Sequence, residues 1–150
     1  MKKYTLLFLA SMLVFVSGCG KDEFPPLDPA KSRVYSLSPV ANSKISGTVT
    51  FTKNDDGTTT VLIELSGSST DVHPAFIRLG KTGSNGEIVI TLEPIDCDCE
   101  SGISIVKTLD DGTPITFDEL VKYEAYITIH QNKDHLEVII LQGNIGNSSN

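Results

Sequence analysis

From about Arg33 onward, hydrophobic and polar residues alternate with the period of two that is typical of β-strands. In residues 45–51 single serine or threonine residues separate the hydrophobic ones, and the pattern resumes in residues 61–65. Residues 54–57 between them read Asn-Asp-Asp-Gly, and glycine in such a turn adopts positive φ without steric cost. The pattern predicts a β-hairpin.

Further strand-like segments follow, with Asn85-Gly86 and Asp111-Gly112 as the clearest turn signals between them. The predicted strands are residues 35–40, 75–79, 87–92, 103–108, 125–130 and 136–141. Short strands rich in β-branched residues at this spacing are typical of an all-β sandwich or barrel made of antiparallel hairpins.

One segment departs from the strand pattern. Thr116-Phe117-Asp118-Glu119 has the form of a capping box, and Pro114 lies just upstream. Leu120 and Val121 follow and can pack inward. We therefore expect one short helix that connects two strands.

The first 18 residues have the features of a signal peptide. Lys2 and Lys3 give a positive start, and residues 4–16 carry no charge but are too few to span a bilayer, which takes about 20 residues. Small residues then lead directly to Cys19, which resembles the lipobox of bacterial lipoproteins. The resemblance implies cleavage before Cys19, a diacylglyceryl group on its thiol and an acyl chain such as palmitate on its amine. The alternative is a plain secreted protein with a free cysteine near its start.

Residues 19–32 are expected to form a lipidated, extended tether, because three prolines fall within residues 25–29. Lys21, Asp22 and Glu23 stand just behind the cysteine. They resemble the signal that sends some Gram-negative lipoproteins to the outer face of the outer membrane. The alternative is that these charges only keep the tether solvated. Residues 33–146 form the predicted domain, and residues 147–150 a C-terminal tail.

The net charge and one local motif each argue against a class of ligand. The chain carries a net charge of −7, and loss of Lys2 and Lys3 with the signal peptide leaves −9 (−7 minus 2). Such a surface repels phosphate backbones, so we expect no nucleic-acid partner. Residues 75–82 match the P-loop pattern with alanine first, but they are bulky and strand-forming where phosphate needs a flexible loop, so we expect no nucleotide.

Several short motifs follow one another along the predicted domain. They are residues 73–80 (His-Pro-Ala-Phe-Ile-Arg-Leu-Gly), the Asn-Gly turn of 85–89, the strand 125–130 (Ala-Tyr-Ile-Thr-Ile-His), residues 142–146 (Gln-Gly-Asn-Ile-Gly), and the pieces 109–112 and 117–120. Together they resemble the CHRD (chordin-type) domain. Family members show a His-Ile-His strand, an Asn-Gly-Pro turn, a Tyr-x-Asn-x-His strand and a closing Gly-Gln segment. The resemblance implies an immunoglobulin-like or superoxide-dismutase-like, Greek-key-like β-sandwich and implies no reaction.

The departures from that pattern bear on metal binding. Phe76 and Arg78 stand where the family has two histidines, and both face the same side of their strand. Two histidines on this strand and a third on the Tyr-x-Asn-x-His strand would suit zinc or copper. This chain keeps only His130 of the three, and His73 and His135 are possible additional ligands. We expect no metal cofactor here, because Arg78 repels a cation, and we expect a partly exposed histidine instead. Arg78 is predicted to form an internal salt bridge or to accept a ligand carboxylate.

Cys97 and Cys99 form an even pair in the segment Asp96-Cys97-Asp98-Cys99-Glu100. In an oxidising compartment they favour a disulfide, which requires a tight turn at this spacing. Two alternatives are a metal ion held by thiolates and acids, with His73 or His130, and a redox-active pair.

Two function classes remain. The first is a non-catalytic binding or structural module, anchored to the envelope membrane by lipid, that contacts a protein or a glycan. The second is a metal-handling or redox protein that uses Cys97 and Cys99. No motif indicates an enzyme; for example, no G-x-S-x-G sequence is present.

Overall fold

The computed structural model of the chain describes residues 27–40, 42–68, 71–96 and 98–149. The predicted signal peptide, Cys19, the charged group at 21–23 and Cys97 lie outside these residues. Within the described ranges, no helix is long and apolar enough to cross a membrane.

The described residues fold into a closed barrel of antiparallel strands in the order β1-β2-β3-β6-β5-β4-β7-β8. The strands are β1 (Ser32–Pro39), β2 (Ser46–Lys53), β3 (Thr59–Ser66), β4 (Val72–Leu79), β5 (Ile88–Asp96), β6 (Ser101–Val106), β7 (Glu124–His130) and β8 (Ile139–Gly146). Strands β4, β5 and β6 are consecutive neighbours, while β3 lies beside β6 and β7 beside β4. This order contains a Greek key.

The predicted sandwich was wrong in one respect, since the two sheets are joined into a barrel. One half is β1-β2-β3-β6 and the other is β5-β4-β7-β8. At one corner Ser38 and Pro39 of β1 pair with β8, and at the other Asp96 of β5 pairs with Ser101 of β6. The alternation of inward and outward residues is the same in a sandwich and a barrel, so the sequence pattern does not distinguish them.

Side chains complete the corner between β5 and β6, where the backbone ladder stops. The Thr91 amide donates to the Asp110 carboxylate at 2.9 Å, and the Thr91 hydroxyl donates to its other oxygen at 2.8 Å. The Asp110 amide donates to the Val89 carbonyl at 2.9 Å, and the Glu93 amide to the Ser104 hydroxyl at 2.8 Å. Beyond its short backbone pairing with β6, this edge of β5 is therefore hydrogen-bonded by the Asp110 and Ser104 side chains and by the Asp110 amide.

The inward side chains of both halves form one core. The fully enclosed members include Phe51, Ile63, Ile77, Ile127, Leu141 and Ile145. The predicted hairpin is present, with residues 46–53 paired to residues 59–66. The last strand lies later than predicted, at Ile139–Gly146, and leaves Leu136 and Val138 exposed in the preceding loop.

The predicted short helix is confirmed as α1 (Phe117–Leu120). Its capping box is complete: the Glu119 amide donates to the Thr116 hydroxyl, and the Thr116 amide donates to the Glu119 carboxylate. Beyond β8, Asn147–Ser149 form a 3-10 turn, and the Ser148 hydroxyl donates to the Gly80 carbonyl at 2.9 Å.

Replacing Asp110 tests the side-chain closure of this corner. Because Asp110→Ala removes the acceptor for two groups of Thr91, we expect the free energy of unfolding to fall by about 1 kcal/mol. Asp111→Ala is the matched control, since that carboxylate accepts only from Thr113 in its own turn. Urea denaturation checks both variants, and equal losses would contradict the corner role.

Candidate binding face on strands β4 and β7

The side chains of the half-barrel β5-β4-β7-β8 that point away from the core form two cross-strand rows, which we name the β4–β7 face; its members from β4 and β8 are half-buried, whereas Thr128 and Tyr126 of β7 are buried. One row is Thr91, Phe76, Thr128 and Gln142, and the other is Ile88, Arg78, Tyr126 and Asn144. Direct cross-strand neighbours lie about 5 Å apart at Cβ. The structure thus brings together residues from all four strands, including several from the motifs singled out in the sequence.

Arg78 lies within this face and is half-buried. Its Nε donates to the Thr128 hydroxyl at 3.3 Å, and its Nη1 donates to the Gly86 carbonyl at 3.0 Å. No carboxylate of a described residue pairs with it, so the predicted internal salt bridge was wrong for the described part of the chain. The guanidinium is fixed in place with its charge unneutralised by any of those residues.

A chain of hydrogen bonds runs from Arg78 beneath the surface. The His130 Nδ1 lies 2.5 Å from the Leu136 carbonyl, so this nitrogen carries the proton. Its Nε2 then accepts from the Thr128 hydroxyl at 3.1 Å, which itself accepts from Arg78. His130 is 2 % exposed, and burial, with a smaller contribution from the Arg78 charge, lowers its pKa despite the Leu136 bond.

Phe76 packs beside this chain of hydrogen bonds. Its ring meets the His130 ring edge to face, with 5.2 Å between centroids and an interplanar angle of 73°. The contact holds a half-buried aromatic side chain next to the Arg78 cation.

The turn between β4 and β5 folds over one end of the face. The Gly86 amide donates to the Tyr126 hydroxyl at 3.0 Å, and the Thr82 amide donates to the Asn144 Oδ1 at 2.8 Å. A Cβ on Gly86 would lie 1.7 Å from the Leu79 carbonyl oxygen, so only glycine fits there. The Asn85-Gly86 motif therefore positions the acceptor that holds Arg78.

His73 does not join His130 at this face. Along β4, His73 shares the buried side with Ala75 and Ile77, whereas His130 contacts outward Phe76. The His73 Nδ1 lies 2.6 Å from the Gln131 carbonyl and 3.1 Å from that of His130, and its Nε2 lies 2.8 Å from the Ser68 hydroxyl. Both ring nitrogens of each histidine are thus engaged in internal hydrogen bonds. The exposed His135 lies in the loop before β8, 3.3 Å from Glu137.

Cys99 takes part in a disulfide bond, and its partner lies outside the described residues. The local chain forms a tight turn, in which the Cys99 and Asp98 amides both donate to Asp96. Next to it, the Glu100 carboxylate accepts from the amides of Gly67 and Ser68 at 2.9 and 3.1 Å. Among the described residues, no three His, Cys, Asp or Glu side chains are grouped to hold a metal ion.

The opposite half-barrel carries a groove of about 340 Å³ over β2, β3 and β6. Leu27 and Ile103 contribute to its lining, and Val34 and Ile105 of the same half-barrel are exposed. It contains none of the residues singled out for chemistry in the sequence.

Sequence reasoning missed Gln142, Asn144 and Thr128 as members of the face. The predicted strand 136–141 stopped short of Gln142, although residues 141–145 (Leu-Gln-Gly-Asn-Ile) continue the period of two. Extending that alternation would have placed Gln142 and Asn144 outward.

Acidification tests the His130 environment. The folded protein keeps this imidazole neutral at pH values where the unfolded chain is already protonated, near pH 6.5. Protons therefore favour the unfolded state, and we expect the free energy of unfolding to fall as pH drops from 7.5 to 5. Urea denaturation should show a flatter pH dependence in His130→Asn but not in His135→Gln. An unchanged slope in the His130 variant would contradict this assignment.

The geometry can now be set beside known proteins. No curated protein matches the chain. The family model described as "CHRD domain" matches residues 26–135, which contain β1 to β7 but not β8. The match covers more than two thirds of the sequence, and the chain therefore belongs to the CHRD domain family.

Proposed function

We propose that the protein is an envelope lipoprotein, held in the membrane by lipid on Cys19, whose CHRD domain is a non-catalytic binding module. The β4–β7 face binds the partner, which is a protein or a glycan outside the cell membrane. The tether of residues 19–32 keeps the domain clear of the membrane, and residues 21–23 direct the lipoprotein to the outer face of the outer membrane.

One observation carries the binding role, namely the unneutralised Arg78 charge. A half-buried guanidinium normally pairs with a carboxylate, because an unpaired charge is costly to remove from water. Here Thr128 and Gly86 fix the side chain, and no described carboxylate neutralises it. A ligand that supplies the missing anion recovers that cost on binding.

The second candidate is a redox or metal-handling role for Cys97 and Cys99. The Cys99 disulfide is consistent with the redox form, because such a bond is the oxidised state of a thiol pair. It weighs against the metal form, since a bridged cysteine offers no thiolate. If the protein has a redox or metal-handling role, the double variant Cys97→Ser/Cys99→Ser loses that activity. If it is a binding module, the double variant still binds its partner.

Radiolabelled palmitate tests the anchor when the full chain is produced in a bacterium that processes lipoproteins. We expect label on the wild-type chain and none on Cys19→Ala, because the acylated thiol and the new amino terminus both belong to Cys19. Mass spectrometry should find residues 1–18 retained in that variant. The serine double variant at Cys97 and Cys99 is the control and should keep its label. Normal cleavage of Cys19→Ala would instead identify a plain secreted protein.

Substitutions on the face test the binding role. We expect Phe76→Ser/Arg78→Gln to weaken saturable binding to envelope protein or polysaccharide fractions of the producing cells by about tenfold or more, or about 1.4 kcal/mol. Val34→Ser/Arg33→Gln makes the same kinds of change on β1 of the opposite half-barrel and should bind normally. Weaker binding in this control alone would overturn the proposal and assign binding to the opposite half-barrel.

A further inference from the structure

The proposed binding function does not define the chemical class of the ligand. The groups on the β4–β7 face indicate which class it is. We infer that the ligand is a glycan that contains an acidic sugar, a uronic acid, whose carboxylate pairs with Arg78. This inference rests on the proposed function and goes beyond it.

The guanidinium has the donors that a carboxylate needs. An arginine offers five N–H groups, and Arg78 uses one on Nε and one on Nη1 within the described structure. Three remain, which is sufficient for a two-point pairing with both carboxylate oxygens. Because two internal acceptors already hold the side chain, little conformational entropy is lost when the ligand pairs with it.

Amide groups next to Arg78 match sugar hydroxyls. Gln142 lies directly across from Thr128, the residue that Arg78 contacts, and its side-chain amide has no hydrogen-bond partner among the described residues. Asn144 accepts from the Thr82 amide through Oδ1, so its Nδ2 group is still available as a donor. Both residues are half-buried. An amide both donates and accepts, as a hydroxyl does, so Gln142 can bind a sugar hydroxyl in either role, while Asn144 can donate to one.

Phe76 supplies an apolar surface beside these polar groups. Its ring is half-buried and held by the His130 contact, and it is the direct cross-strand neighbour of Thr128. The carbon-bound hydrogens of a sugar ring can pack against such a surface while its hydroxyls reach the amides. A few placed polar groups around an apolar patch is the usual composition of a small-ligand site.

The charge of the protein favours an acidic sugar over a strongly acidic peptide or polyanion. The whole chain has a net charge of −7, which repels dense negative charge. The face contains a single arginine, and the Asp110 carboxylate is bonded to Thr91 at its other edge. A sugar unit with one carboxylate fits both the negative net charge and the single arginine. Its carboxylate pairs with Arg78, and its uncharged hydroxyls lie toward the edge that contains Asp110.

The experiment is a titration of the isotope-labelled chain, followed by NMR, with methyl glucuronide and with methyl glucoside as its uncharged counterpart. For one sugar we expect a Kd on the order of 1 mM. We expect saturable shifts at Phe76, Thr128 and Gln142 with the glucuronide and binding at least about tenfold weaker with the glucoside. Arg78→Gln should remove that preference, because the neutral side chain cannot form the charged pair.

The chain contains a matched control, since Arg33 is its only other arginine. Arg33 donates to the carbonyls of Pro29 and Ser32 on the opposite half-barrel, so Arg33→Gln makes the same change in charge away from the face. We expect wild-type glucuronide binding in that variant. Thermal unfolding of both variants verifies that each is folded, and Arg78→Lys separates charge from two-point geometry.

Equal binding of glucuronide and glucoside, or an unchanged affinity in Arg78→Gln, would overturn the inference. If an acidic peptide shifts the same resonances and glucuronide does not, the sugar class is wrong while the binding face stands. If Phe76→Ser/Arg78→Gln also leaves binding to the envelope fractions intact, the proposed function itself fails. The sugar titration and the envelope assay thus separate the two conclusions.

Discussion

Closure of the sheet at its two corners is the constraint on which the rest of the structure depends. Each half of the barrel alone would expose two rows of unpaired backbone groups and one side of its hydrophobic residues. Backbone pairing at Asp96–Ser101 and at Ser38–Pro39 joins the halves, and Asp110 and Ser104 complete one corner. Closure therefore encloses the core and also fixes which side chains face outward.

Because inward positions are filled mainly by hydrophobic side chains, most polar chemistry lies at the outward positions and the barrel ends. At one end, Glu100 holds the amides of Gly67 and Ser68, Ser68 bonds His73, and His73 bonds the carbonyl of Gln131. Three loops are thereby connected, and of these hydrogen bonds only the one from Gly67 is exposed. His73 is engaged in this structural task, whereas Arg78 and His130 are joined through Thr128 on the β4–β7 side of the barrel.

The sequence predicted the strands, the first hairpin and the capped helix, because each depends on residues close together in the chain. Alternating residues 45–51 and the Thr116–Glu119 box were sufficient for two of these elements. Corner closure depends instead on contacts between residues far apart in the chain, such as Asp110 and Thr91. The alternation of hydrophobic and polar residues does not predict such contacts. The same limit explains why the predicted salt bridge of Arg78 was wrong. Its hydrogen-bond partners, Thr128 and Gly86, are determined by the strand register and by the path of a turn, and neither residue is acidic.

The exchange of histidine for arginine at position 78 bears on what this face can bind. Neutral imidazole has a lone pair that a metal ion can share, so the two histidines of the family pattern suit a cation. A guanidinium has no acceptor, keeps its charge at every physiological pH, and suits an anion. The hydrogen bonds beneath it agree with that role, because the Thr128 hydroxyl accepts from Arg78 and so directs its own proton to neutral His130. The core and the corners do not depend on these residues, so the chemistry of the face can change without a change of fold.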